Sequence, residues 1–298
     1  MFTLTKSPLH VARRALAVGQ RGLRRYTHKC SPQIYTQPQL FACLVLKVFF
    51  KTDYRGIVVL LEDWHGLART LGLSRVPHWT TLQKASRRLV TVPRANRLLT
   101  HTLPHLLGRR RRVRRVAFDS TGLECGHTSH YFIRRRAKGA TAKQKVRYSR
   151  FAKLEAAFEC ASHVVLGASA RRGPRPDTDR FVPLLSNVLQ RVRVTTVLAD
   201  AGYDSEANHR YARQRCGVRS VIPATSGRPT TKEPAGRWRR LMKRRLDKDY
   251  CQYGQRWQAE TGFSMSKRRL GSSINGRSYR SQCRDLLLLV ITFNIMLD

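Results

Sequence analysis

Two apolar segments, Val113 to Phe118 and Val192 to Ala199, each run directly into an aspartate, and this pairing restricts the fold more than any other feature of the chain. Segments of that length and composition read as strands of a sheet core. An acid at the carboxyl end of such a strand emerges at the sheet rim, where ligands bind in α/β folds. The reading places a strand over Val113–Phe118 that stops at Asp119, and a second over Val192–Ala199 that stops at Asp200. Between them, the alternating segments Phe151–Cys160 and His163–Ala170 predict a hairpin, and Asp177 or Thr178 starts a helix reaching about Gln190. After Asp200 come a helix from Ser205 to Gln214, a short strand Val218–Ile222, and a loop rich in Gly, Pro, Ser and Thr over residues 224–236. A very basic segment, Arg237–Arg245, then leads to a final helical block. The order β-β-β-α-β-α-β-α describes a mixed α/β sheet flanked by helices.

The first third of the chain reads differently. Its first acid is Asp53, and residues 1–30 are read as an irregular basic arm. An organellar transit peptide would share this composition, but the rest of the chain favours an arm that contacts DNA. Helical periodicity follows over Gln37–Phe50 and Tyr54–Leu71, and after Pro77 over Leu82 to about Thr91, with Thr80 or Thr81 as the cap. The last of these helices is short and basic. The three resemble a helix-turn-helix module, which makes Thr80, Thr81, Lys84, Arg87 and Arg88 candidate DNA contacts. An ordinary helical bundle is the alternative, and the charge tips the reading towards DNA. The charge run at 108–115 marks a boundary. The predicted organisation is an arm (1–30), a helical DNA-binding domain (31–107) and an α/β domain (108–298) with a short basic connector (224–249).

Charge limits the partners. The chain of 298 residues has 58 Lys and Arg against 18 Asp and Glu, a formal +40, while 41% hydrophobic residues suffice for a packed core. Such self-repulsion calls for an anionic partner, and nucleic acid supplies one through counterion release. A basic ribosomal or RNA-binding protein would satisfy the charge alone. Seven scattered cysteines without a CxxC pair fit a reducing, cytoplasmic compartment, and the DNA reading adds association with the nucleoid. The apolar run Leu286–Ile291 is far shorter than the roughly 20 residues of a membrane span. Cys125, His127 and His130 offer three zinc ligands but lack a fourth at zinc-site spacing, and His163 reads as a core or edge histidine. There is no glycine-rich phosphate loop to suggest ATP use.

Two carboxylates held side by side repel unless a cation neutralises both, and Mg²⁺ prefers such oxygen ligands. Each acid taken alone reads more readily as a cap or turn residue than as a ligand, and Asp204 is read as a cap. A third acid, Glu260, lies on a predicted helix with Tyr253, Arg256 and Lys267. At about 100° per residue these four side chains fall within an arc of roughly 60°. A tyrosine on that stripe, and the basic Lys267, Arg268 and Arg269, argue against a merely solvated face.

The spacing Tyr253-x2-Arg256-x3-Glu260-x6-Lys267 resembles the Y-R-E-K signature of a large group of insertion-sequence DDE transposases. Asp119-Ser120-Thr121-Gly122 and Asp200-Ala201-Gly202-Tyr203-Asp204-Ser205 resemble their two aspartate motifs, and the likeness covers roughly residues 35–295. It implies a ribonuclease-H-like domain whose first and fourth strands are neighbours. It also implies cleavage of DNA at transposon ends and joining of the freed 3′-OH to a target. Asp119, Asp200 and Glu260 would then bind two Mg²⁺ ions, or Mn²⁺, one activating the nucleophile and one stabilising the leaving oxygen. Tyr253, Arg256 and Lys267 would contact the backbone of the transposon end, and a homodimer or larger assembly would hold two ends. Only sixty positions separate Asp200 from Glu260, where some relatives carry a large β-rich insertion. The alternatives are a catalytically silent DNA-binding descendant and a nuclease that cuts without joining.

Overall fold

The computed structural model describes residues 3–28, 30, 32–108, 111–125, 135, 138, 151–224, 233–246 and 250–297. Near the N-terminus, Ser7 accepts the backbone N–H of His10 and Pro8 occupies the first turn, which starts helix α1 (Pro8–Gly22). Val11, Ala12, Ala15 and Val18 form its buried stripe. The irregular arm expected over residues 1–30 is therefore corrected: half of that stretch is a packed helix, and the Thr5 N–H donates to the carbonyl of Met296 at 2.8 Å. A Cβ at Gly19 would stand 3.0 Å from the Pro38 Cα, so α1 lies directly on α2 (Gln37–Phe49). The helix expected over Tyr54–Leu71 is two, α3 (Tyr54–Asp63) and α4 (His65–Thr70), broken where Trp64 leaves helical geometry. α5 (Trp79–Leu89) begins earlier than expected, because the His78 ring rather than Thr80 or Thr81 caps it. α6 (Val92–Leu107) completes the helical bundle.

The sheet starts at β1 (Arg112–Cys125), which is longer than its apolar run. Its neighbours explain why. Antiparallel β2 (Ala152–Glu159) pairs Asp119 with Ala156 and continues to Leu123 opposite Ala152. β3 (Val165–Arg172) is the outer strand of the expected hairpin. After a 3-10 turn (Thr178–Arg180) and α7 (Phe181–Leu189), β4 (Arg193–Ala199) pairs in parallel with β1 only as far as Phe118 opposite Ala199. Asp119 thus lies just past the parallel ladder and does not end the strand, contrary to what the apolar pattern implied. α8 (Glu206–Arg210) continues into a π-helical turn and is followed by β5 (Arg219–Val221). The order β3-β2-β1-β4-β5, with the first and fourth strands side by side, is a ribonuclease-H-like mixed sheet flanked by helices. The basic segment forms α9 (Arg237–Arg245), and after α10 (Tyr250–Tyr253) and a 3-10 turn come α11 (Trp257–Leu270), the short β6 (Ser273–Ile274) and α12 (Tyr279–Met296).

Alternation along the strands sorts the aromatic residues onto two faces. Phe118 meets Phe181 of α7 and Tyr203 on one face, whereas Phe158 meets Phe263 of α11 and Phe293 of α12 on the other. Asp119, next to Phe118, points to the α11 face. The helical bundle and the sheet share one continuous apolar core. Asn294 of α12, buried, donates to Thr102 of α6 (3.0 Å) and to the Val165 carbonyl (2.8 Å), and accepts the Val165 N–H (2.9 Å). A buried amide satisfied at both ends ties the two layers. Among the described residues, no helix is long and apolar enough to cross a membrane.

Candidate active site

The geometry of the first two acids follows from strand register. Asp119 lies one residue past the last parallel pair of β1 and β4, and Asp200 one residue past the end of β4. The two leave adjacent strands at the same level, and neighbouring strands run about 4.8 Å apart. Each has one oxygen held by backbone: Asp119 Oδ1 accepts the Ser120 N–H at 2.9 Å, and Asp200 Oδ1 accepts the Gly202 N–H at 3.0 Å, starting a 3-10 turn. Burial, with the charges of Asp200 and Glu260, pushes the Asp119 carboxyl up to about 6 against the opposing Ser120 N–H and Arg256. Asp200 is raised as well, by burial first and by Asp177 second.

Glu260 arrives on α11, which approaches the sheet through a glycine. A Cβ at Gly262 would lie 2.5 Å from the Phe158 ring, so only glycine lets the helix settle there. The stripe predicted on one continuous helix is interrupted: Tyr253 ends α10, Arg256 ends a 3-10 turn, and α11 starts at Trp257. The 3-10 turn nevertheless brings Arg256 between the acids. Its guanidinium bonds Glu260 and lies 4.0 Å from Asp119 Oδ2. Burial raises the Tyr253 hydroxyl above its usual range, while Arg256 beside it works the other way. Asp119, Asp200, Tyr253, Arg256 and Glu260 are thus brought together. Lys267 is two turns further along α11 and makes no hydrogen bond or ion pair with them. The donors are oxygen only, and two are half-buried carboxylates raised by burial, a set suited to hard divalent cations. Glu260 does not close the set: its side chain is 55% exposed and paired to Arg256. Among the described residues, no three His, Cys, Asp or Glu side chains converge as a metal cluster.

Beneath the acids is a charged layer that the sequence reading missed. Glu155 on β2 is fully buried and pairs with Arg171 Nε on β3 at 2.5 Å, yet burial still pushes its carboxyl up to about 7. Asp177 Oδ1 takes Lys153 Nζ at 2.5 Å and Arg171 Nη2 at 3.3 Å. The Tyr203 hydroxyl is buried under these groups with no hydrogen-bond partner. Asp204, read as a cap, is instead a fully buried carboxylate that takes Arg239 of α9 at 2.8 and 2.9 Å. Glu206 caps the same helix by accepting the Trp238 and Arg239 N–H groups. The available signal was the presence of Lys153, Glu155 and Arg171 inside otherwise apolar alternating strands.

The candidate DNA contacts of α5 stand apart in the helical bundle. Lys84 and Arg87 are exposed, Thr81 and Arg88 are half-buried, and Thr80 Oγ1 is 2.8 Å from His78 Nδ1. His163 is buried in the β2–β3 turn at φ +59°, its Nε2 2.5 Å from Gln258 of α11. Of the zinc candidates, Cys125 ends β1, while His127 and His130 lie outside the described residues.

In comparison with known proteins, the family described as Transposase DDE domain matches residues 110–295, from the start of the sheet to the end of α12. None of the curated proteins compared with the chain matches it. With two strand-borne aspartates and a helix-borne glutamate inside the matched region, the chain belongs to the transposase DDE family.

Proposed function

We propose that the chain is a DNA transposase that cuts strands at the ends of a mobile element and joins the freed 3′-OH to target DNA. The observation that carries this reading is the placement of Asp119 and Asp200 at one level on adjacent parallel strands, with Glu260 linked to Asp119 through Arg256. These three residues would hold the two divalent cations, Mg²⁺ or Mn²⁺. When bound, the cations supply activation of the attacking oxygen and stabilisation of charge on the leaving one.

The remaining work falls to the chain's own groups. Backbone N–H groups fix one oxygen of each aspartate, and the other would take the cations. Arg256 offsets part of the carboxylate charge and offers its guanidinium to a phosphate of the strand being cut. Tyr253 beside it provides a ring for a displaced nucleotide, and Lys267 meets the backbone further along. On α5, the exposed Lys84 and Arg87 neutralise phosphates, joined by Thr80, Thr81 and Arg88 at the edge of the helix. Two copies of the chain hold two ends of the element.

The test is incubation of the protein with a labelled duplex carrying the element's inverted-repeat end, with Mg²⁺ and then with EDTA. Nicking at the boundary that needs metal, joined products on added target, and loss of both in Asp119→Asn, Asp200→Asn and Glu260→Gln with DNA affinity retained are expected. Full cutting by any of the three variants would overturn the site. Binding without cutting would leave a catalytically silent DNA-binding protein, and nicking without joined products a nuclease.

A further inference from the structure

Asp177 and Thr178 sit at the start of the 3-10 turn before α7, contribute nothing to the DDE motif, and yet bond to the segments that carry both aspartates. On one side, Ser120, the residue after Asp119, donates from Oγ to Asp177 Oδ2 at 3.0 Å. On the other, Thr178 donates from Oγ1 to the Gly202 carbonyl at 2.9 Å, in the turn that Asp200 caps. Asn208 of α8 locks the second connection by donating to the Thr178 carbonyl (3.0 Å) and the Tyr203 carbonyl (2.9 Å). We propose that Asp177–Thr178 is a positioning brace that sets the separation of Asp119 and Asp200, and with it the site's affinity for divalent cations.

The charges around Asp177 distinguish a brace from a fourth ligand. A Cβ built on Gly202 would be 3.1 Å from Asp200 Oδ1 and 3.7 Å from Asp177 Oδ2, so both carboxylates border the same small space. An unpaired acid there would compete for any cation or repel Asp200. Asp177 still raises the Asp200 carboxyl, but its oxygens are taken: Lys153 and Arg171 occupy Oδ1 and Ser120 occupies Oδ2, which leaves it a brace and not a ligand. Arg171 is itself held by Glu155 and by Asp179 at 3.0 Å, and Lys153 by the Arg175 carbonyl at 2.9 Å. The anchor is therefore made of side chains fixed on two neighbouring strands. Fixed outer groups that orient ligands without touching the ion are a general feature of metal sites. Gly202 has a part in this as well, since a side chain there would push apart the two carboxylates that the brace holds.

The inference rests on the proposed metal-binding role of Asp119 and Asp200, and the experiment separates the two. Mn²⁺ binding to the full chain is measured by the loss of its free electron paramagnetic resonance signal, alongside affinity for duplex DNA and the thermal midpoint in EDTA. Thr178→Val, which removes the bond to Gly202 at nearly constant volume, is expected to weaken Mn²⁺ binding about tenfold. Thr178→Ser, which keeps the hydroxyl, should bind as the parent does, and DNA affinity should stay level in both. Should Thr178→Val fail to fold, Ser120→Ala, which removes the bond to Asp177 and keeps the backbone N–H, carries the same expectation. Parent-like Mn²⁺ binding in Thr178→Val, or an equal loss in Thr178→Ser, would overturn the brace alone. Absence of Mn²⁺ binding by the parent would overturn the metal-site reading and the brace with it.

Discussion

The Asp119 carboxyl, whose ordinary value is 3.8, is pushed up to about 6 in the fold, chiefly by burial. The sign of the consequence is opposite to that of a salt-bridged acid. Between about pH 4 and pH 6 the unfolded chain has released this proton and the folded one has not, so stability falls as pH rises through that window and then levels off. In EDTA, Asp119→Asn should therefore gain about 1–3 kcal/mol of unfolding free energy at pH 8 and little at pH 4. Urea titrations at the two pH values check this, and an equal change at both would refute it. Asn retains the acceptor for the Ser120 N–H, so the comparison isolates the charge. Asp119 and Asp200 were legible in the sequence because an apolar run delivers each to the rim. Asp177 and Asp204 were not: an acid before helix-forming residues looks like a cap until Lys153, Arg171 and Arg239 are seen to reach it. His78 displaced the expected threonine cap for a similarly local reason, since its ring reaches the Thr80 N–H from outside the helix.

Among the elements, α11 shows what pattern reading can and cannot recover. The spacing from Tyr253 to Lys267 correctly announces helical structure, but it cannot reveal that a 3-10 turn separates Tyr253 from the main helix. Nor does it explain Gly262, which helix propensity alone counts as a weakness of about 1 kcal/mol. The sheet supplies the reason, because the Phe158 ring occupies the space of a side chain at that position. Propensity and packing thus predict opposite signs for Gly262→Ala. Packing should win, with a net loss of about 1–3 kcal/mol as α11 is lifted from β2. Trimming the ring in a Phe158→Leu background should recover part of the loss, since contacting residues do not contribute additively. A gain of stability in the single variant would mean that the helix floats free of the sheet, and Glu260 would lose its anchoring. The β2–β3 hairpin was readable in outline because its alternation is strong. The extension of β1 past Asp119 was not, because Thr121 and Gly122 owe their place in the strand to pairing with Leu154 and Lys153.

At the scale of the whole molecule, a formal +40 must be carried by a single core that runs from α1 to α12. Composition suggested that the first thirty residues serve only as charge. The density of arginine hides a stripe at positions 11, 15 and 18 that the bundle buries. The two readings part company on truncation. Removing residues 1–22 from a solvated arm would take away Lys6, Arg13, Arg14 and Arg21, lower DNA affinity in a salt-dependent way, and leave the melting temperature unchanged. Removing α1 from a core strips Val11, Ala12, Ala15 and Val18 from their contacts and uncovers Phe41 on α2. It also cuts the Thr5–Met296 bond that holds the end of α12. At about 1.5–3 kcal/mol for each buried valine, with the alanines and the uncovered ring added, the loss is on the order of 5 kcal/mol. That is comparable to the whole margin of an ordinary domain. A chain starting at Leu23 should then melt far below the parent or fail to fold, at low salt as at high. Calorimetry of the truncated protein decides between the readings, since an unchanged midpoint would return α1 to the role of an arm.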